Sequence, residues 1–211
     1  MSYWKAQVAN SGEAYAMQFH YPPGATPLDP DETVGLVPTH ITTQDDLNAW
    51  EQINIAQGER WAERQKRRAL LDERFVRDLH RQMFDKTWDW AGTFRKSNKN
   101  IGVDWTQVSV RLRDLLGNTQ YQIENQVFDA DEITVRFHHQ LVWIHAFPNG
   151  NGRHARLMAD LLAIRLGRAR LSWGDGDTSG APISAVRERY LAALRAADQG
   201  QFGDLIGFAR S

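Results

Sequence analysis

His145-Ala146-Phe147-Pro148-Asn149-Gly150-Asn151-Gly152-Arg153-His154-Ala155-Arg156 is the stretch from which this chain is best read. Its twelve positions hold an imidazole, a side-chain amide, two glycines flanking a second amide, and two guanidiniums. Glycines let backbone N–H groups turn toward an anion with no Cβ in the way. A helix starting at this point adds its positive dipole end and its unpaired first-turn donors. Arg153 and Arg156 are spaced to share a helix face, where forked donors can grip neighbouring phosphate oxygens. An imidazole titrating near neutrality stands beside them as a proton acceptor. The residues therefore describe a polyphosphate cradle next to a base.

Outward from this segment the chain has helical rhythm. Upstream, Ile133, Phe137, Leu141 and Ile144 form an apolar stripe that stops before Pro148, and downstream Leu157, Leu161 and Ile164 begin the next. A long helical pattern runs from about Thr43 to Phe84, whole or in two pieces, with Thr43 as N-cap and Leu71, Phe75, Leu79 and Met83 on its buried face. Val108, Leu112, Leu115 and Leu116 predict a further helix, and Ile183, Val186, Tyr190 and Leu194 another, after a loop over 174–180. Residues 1–40 are broken by Pro22-Pro23-Gly24, Pro27, Pro30 and Pro38 and read as an irregular arm. Between Trp88 and Asp104, alternation punctuated by Gly92, Asn98, Asn100 and Gly102 predicts a short β-hairpin. The fold class is all-α with one small β excursion.

Composition narrows the function. The chain has 211 residues, 42% of them hydrophobic, enough for a sizeable core. With 25 basic and 26 acidic residues the net charge is −1, so no general affinity for nucleic acid or membrane is expected. The basic run Arg64 to Arg68 reads as a solvated helix face. There is no cysteine, which excludes disulfides, thiolate catalysis and cysteine-based zinc sites. No apolar run is long enough to span a bilayer and the first residues lack a secretory pattern, so a cytoplasmic location is expected.

The twelve-residue segment resembles the signature of the Fic family, His-x-Phe-x-(Asp or Glu)-Gly-Asn-Gly-Arg-x-x-Arg, at every position but the acidic one, which is Asn149 here. Residues 71–102, with Trp88-Asp89-Trp90-Ala91-Gly92-Thr93-Phe94-Arg95 and Ile101-Gly102, are similar to the family's helix and following flap, and residues 187–200 to its closing helices. More loosely, Thr26 through Gln52 resembles the front of a bacterial subgroup carried on mobile elements. The resemblance implies residues 70–211 as a Fic-like catalytic domain, with residues 1–69 as an N-terminal arm and helix packed on it.

It also implies a protein adenylyltransferase that moves AMP from ATP to a Ser, Thr or Tyr hydroxyl. His145 would then be the general base. Asn149, Gly150, Asn151, Gly152, Arg153 and Arg156 would bind the nucleotide, with Asn151 and Arg153 sharing in catalysis. Mg²⁺ would sit at Asn149, although an amide oxygen brings no charge to it. Thr93, Phe94, Arg95, Ile101, Gly102 and Val103 would form the flap that docks the target protein. Many relatives are restrained by a glutamate paired with the second motif arginine, here Arg156. Glu51 is a degenerate candidate for that role, with a solvent-facing side chain as the alternative. Control by an antitoxin chain is a further expectation. Two other outcomes stay open: a Fic-fold phosphotransferase with a different donor, and a nucleotide-binding regulatory module with little catalysis.

Rival readings fail on context. Gly150-x-Gly152-x-x-Ala155 fits an Ala-ended dinucleotide fingerprint, but that motif needs a preceding strand, and the residues before it have helical period. No phosphate-binding Gly-x-x-x-x-Gly-Lys-(Ser/Thr) loop is present. His138, His139, His145 and His154 match no standard metal-ligand spacing.

Overall fold

The structure, a computed structural model, describes residues 26–174 and 183–211. The Pro22-Pro23-Gly24 break and most of the loop expected over 174–180 lie outside them. Within the described residues the chain is helical. The single turn α1 (Pro30–Thr33) has Pro30 at its first position, where no donor is needed, and Glu32 accepting from the Asp29 N–H at 2.8 Å.

The helical pattern expected from Thr43 to Phe84 resolves into two helices, α2 (Gln44–Glu63) and α3 (Glu73–Phe84). Thr43 caps the first by accepting from the Asp46 N–H at 3.2 Å, and Asp72 caps the second by accepting from the Phe75 N–H at 3.1 Å. The run Arg64 to Arg68 is the connection between them and not a helix face. Arg68 lies over the Trp61 and Phe75 rings at 5.5 and 5.4 Å and pairs with Asp78 at 2.8 Å, which holds the two helices at their junction.

Four helices and a short α8 follow: α4 (Val108–Glu124), α5 (Ala130–Ile144), α6 (Asn151–Arg165), α7 (Ile183–Asp198) and α8 (Gly203–Arg210). Helices α5 and α6 lie between two cores. One face meets Phe75, Leu79 and Met83 of α3, Leu112 of α4 and Leu47 and Ala62 of α2, through Phe137, Leu141, Met158 and Leu162. The other presents Val135, Ala159 and Ala163 to Ala193, Ala197, Leu205 and Phe208 of α7 and α8. The first core runs without a break across residues 69–70, so α2 is built into the same packed unit as α3.

Polar and small residues set how α2 sits. Its buried face reads Leu47, Glu51, Asn54, Gly58 and Ala62. The Asn54 carboxamide accepts from the Lys86 N–H at 3.0 Å and donates to the Gln82 carbonyl at 3.3 Å, tying the helix to the turn after α3. At Gly58 the two helices approach closely, since a Cβ there would lie 2.6 Å from Met83 Cγ and 2.8 Å from its backbone nitrogen.

The expected hairpin is not formed. Residues 93–103 contain no strand, and the one strand-type pairing among the described residues is an isolated antiparallel bridge between Leu36 and Trp88. The carbonyls that a hairpin would pair across its strands are instead drawn inward by a buried guanidinium, described below.

Four imidazoles outside any exposed surface are part of this packing. His138 meets the Tyr190 hydroxyl at 3.0 Å, His139 meets Asp198 at 2.8 Å, His154 donates to the Val76 carbonyl at 2.9 Å, and His80 is wholly enclosed. Burial lowers the His138 pKa to about 3 and that of His154 to about 4, so both are neutral in the folded chain. On unfolding they return to ordinary values near 6.5. Below that pH the unfolded chain takes up protons that the folded chain refuses, so stability is complete above 6.5 and is lost as pH falls toward 4. The expected loss is on the order of 3 kcal/mol per imidazole by the acid end of this window. Thermal melts followed by circular dichroism should show Tm flat between pH 7 and 8 and lower by more than about 10 °C at pH 4.

Candidate active site

The motif forms the turn from α5 into α6. His145 ends α5 in the left-handed region, φ 53° and ψ 59°, where a non-glycine residue is strained. Arg95 holds it there. This guanidinium, 2% exposed, donates through Nε to the His145 carbonyl at 2.6 Å, through Nη1 to the Ser97 carbonyl at 2.7 Å, and through Nη2 to the Val103 carbonyl. The Arg95 N–H adds a bond to the Ala146 carbonyl at 3.0 Å. Arg95 was expected to dock a target. It is turned inward and shapes both the loop and the His145 backbone. Burial lowers its pKa, opposed by Asp104 and Glu32.

Gly102 lets the loop close over the histidine, because its φ is +104° and a Cβ would come 2.6 Å from His145 Cβ. Of the remaining flap residues, Ile101 and Gly102 face solvent, while Thr93, Phe94 and Val103 are half-buried. The Phe94 ring packs 5.5 Å from that of Phe147.

The His145 ring is buried, and Nε2 lies 3.0 Å from the Thr26 hydroxyl oxygen. Burial and then the nearby Arg95 charge lower its pKa to about 4, outweighing the Val142 carbonyl that favours the charged ring. The imidazole is therefore neutral at physiological pH and able to accept a proton.

Beyond it, Phe147 anchors the turn, stacked on His80 with ring centroids 3.7 Å apart. His80 accepts from the Gly92 N–H at 3.0 Å through Nδ1, so its Nε2 carries the proton and donates to the Asn149 carbonyl at 3.0 Å. Nothing in the twelve-residue segment points to His80 as its brace. The available signal was its place on the α3 stripe, one helical turn after Val76.

Asn151 was expected to donate to a phosphate. Both ends of its carboxamide instead engage the Phe147 backbone, accepting from the N–H at 2.9 Å and donating to the carbonyl at 2.7 Å, so it braces the turn.

Gly150 is required where it stands. Its φ is +78°, and a Cβ would fall 2.6 Å from the Phe84 ring. Gly152 lies in the first turn of α6 with nothing within 4 Å of where a Cβ would be. That turn has no acidic residue and no side-chain cap, which leaves its first N–H groups without a side-chain acceptor.

Arg153 and Arg156 do not act as a pair in this structure. Arg153 lies over the Phe84 ring at 5.0 Å, donates to Glu51 at 2.6 Å, and reaches Asn149 Oδ1 at 3.3 Å. Arg156 turns to the Tyr190 ring at 5.7 Å and has no carboxylate partner among the described residues. Glu51 is not solvent-facing. It is 6% exposed, accepts from Trp88 Nε1 at 2.9 Å, and pairs with the first motif arginine, not with Arg156.

The fit for a divalent cation is poor. Asn149 offers one neutral oxygen, already accepting from the Gly150 N–H at 2.6 Å and from Arg153. No cluster of three or more metal-ligating side chains occurs among the described residues. The chain's own groups do not make a Mg²⁺ site.

The comparisons with known proteins agree with this architecture. Residues 70–163 match the model of the Fic/DOC family. The match starts after the segment that resembles the mobile-element subgroup. Among solved structures, the N-terminal FIC domain of Bep8 from Bartonella sp. 1-1C is 15% identical, with 82% of this chain and 88% of that one covered and a TM-score of 0.63. BepC from Bartonella tribocorum, a structure with bound AMPPNP, is 16% identical over 81% of this chain and 87% of that one, TM-score 0.61. Fic-1 from C. elegans is 23% identical over 76% of this chain and 48% of that one, TM-score 0.61. At these identities the likeness concerns the fold. No curated protein matches the chain. No helix among the described residues is long and apolar enough to cross a membrane.

Replacing Arg95 by Met removes a buried cation that several carbonyls depend on. Urea unfolding should show a loss of about 2–4 kcal/mol, larger than any surface arginine substitution produces.

Proposed function

We propose that this chain is a protein adenylyltransferase, moving AMP from ATP to a Ser, Thr or Tyr hydroxyl of a protein and releasing pyrophosphate. One observation carries the reading: a neutral, buried imidazole with Nε2 3.0 Å from a hydroxyl oxygen, one turn from a helix entrance rich in unpaired donors. His145 takes the hydroxyl proton as that oxygen attacks the α-phosphorus. The first-turn N–H groups of α6 and Arg153 offset charge on the departing pyrophosphate. A divalent cation would have to arrive with the triphosphate.

Glu51 restrains this reaction. While its carboxylate holds Arg153, the guanidinium is not available to phosphate, and a triphosphate entering the cradle would meet a buried negative charge. Release requires α2 to shift or Glu51 to rotate away from Trp88. A target chain or an antitoxin-type partner binding near α2 would act on this equilibrium.

A nucleotide-binding module with little turnover is the second reading. Its support is Asn149, whose neutral oxygen is occupied by two donors where the family signature has an acid.

In a lysate supplied with α-labelled ATP and Mg²⁺, His145→Ala should abolish label transfer with Tm unchanged within a few degrees. Full transfer by that variant would discard the mechanism, whereas ATP binding by calorimetry without transfer by any variant would favour the module. Glu51→Gln should raise transfer by roughly tenfold or more, in keeping with freeing a charge-paired arginine worth about 1.4 kcal/mol or more. An unchanged rate would remove Glu51 from control.

A further inference from the structure

The hydroxyl that already touches His145 belongs to this chain. Thr26 is 7% exposed, and its Oγ1 lies 3.0 Å from Nε2; no other side chain among the described residues hydrogen-bonds that ring. Its position is not incidental. The segment after it is fastened to the loop over the site by Lys99, whose side chain is 2% exposed and pairs with Asp29 at 2.7 Å and Glu32 at 2.5 Å. Ser97 Oγ donates to Asp29, and Trp90 Nε1 donates to the Glu32 carbonyl at 3.0 Å. The same loop carries Arg95, which fixes the His145 backbone. Base and hydroxyl are thus held by one framework.

A hydroxyl presented to a neutral imidazole at hydrogen-bond distance is the arrangement from which an acceptor is deprotonated. We propose that Thr26 is itself an acceptor, modified by the chain's own site when a nucleoside triphosphate occupies the α6 entrance; this rests on the transferase reading above. Thr26 Oγ1 forms a bond to the α-phosphorus, the bond from that phosphorus to the bridging oxygen of pyrophosphate breaks, and the hydroxyl proton passes to His145 Nε2. The products are a nucleoside monophosphate ester of Thr26 and pyrophosphate. No oxidant or further reactant is needed. Among the described residues, Thr26, Asp29 and Glu32 bond to His145, Ser97 and Lys99 and not to Arg153 or Glu51, so displacing Glu51 to admit a nucleotide leaves the acceptor in position.

The test uses the full chain carrying Glu51→Gln, incubated with α-labelled ATP and Mg²⁺, with and without a cell lysate, followed by tandem mass spectrometry of its peptides. The expected result is a nucleoside monophosphate on Thr26, kept in Thr26→Ser, lost in Thr26→Val, and lost in His145→Ala. Thr26→Val should still label lysate proteins, because it preserves side-chain shape and leaves the base free. Self-labelling at other residues with Thr26 unmodified would overturn the proposal while keeping the transferase. So would stronger lysate labelling by Thr26→Val with no adduct on Thr26 in the parent, which would make the residue a plug and not an acceptor. Absence of label on every protein would remove the transferase reading and this one with it.

Discussion

The arrangement at the α5–α6 turn depends on one buried cation. Arg95 reaches across 50 residues of sequence to the carbonyl of His145 and draws the Ser97 and Val103 carbonyls to the same guanidinium. A residue with φ of 53° and a buried ring would otherwise relax, since neither the left-handed backbone nor the desolvated imidazole is favoured in isolation. By satisfying these carbonyls, the guanidinium turns an unstable corner into a fixed one. It also lowers the affinity of the ring for protons, so the group that fixes the geometry tunes the chemistry as well.

The α6 entrance rests on a different set of contacts. Phe84, His80 and Phe147 make an aromatic floor, and the Asn149 carbonyl is pinned to it by the His80 N–H. Above that floor, three of the polar groups read as phosphate ligands are already occupied. Asn151 braces Phe147, Asn149 receives the Gly150 N–H, and Arg153 holds Glu51. Asn151 supports the turn whatever else binds, because its partners are backbone atoms of the same segment. Arg153 is different, since its partner comes from a helix about 100 residues earlier and can move independently of the turn.

This division also explains what could be read from the sequence. The motif was legible because its spacing is local, and the stripes of α3 and α5 because buried faces repeat each turn. On α6 the expected stripe holds only at Leu157: Ile164 is exposed and Leu161 half-buried, while Met158, Leu162 and Ala163 are buried, because this helix packs against two cores at once. Ile133, Phe137, Leu141 and Ile144 are all buried. The loop over 93–103 was misread because alternation with glycine and asparagine suits a hairpin and a side-chain-organised loop equally, and only a contact with His145 separates them. The burial of Glu51 was hidden for a related reason. The inner face of α2 contains Glu51, Asn54 and Gly58, so it carries little apolar signal, and its partners lie on other helices. Long-range pairing of polar groups leaves no periodic trace in a single sequence.

The close approach at Gly58 gives α2 a further significance. With no side chain there, the helix axis is set by backbone contact with Met83, about two turns from Glu51. Helix α2 is therefore a lever whose fulcrum is a missing methyl group. How firmly the carboxylate reaches its arginine is gauged at that fulcrum, so variation at a position remote from the α5–α6 turn can set how tightly Arg153 is held there.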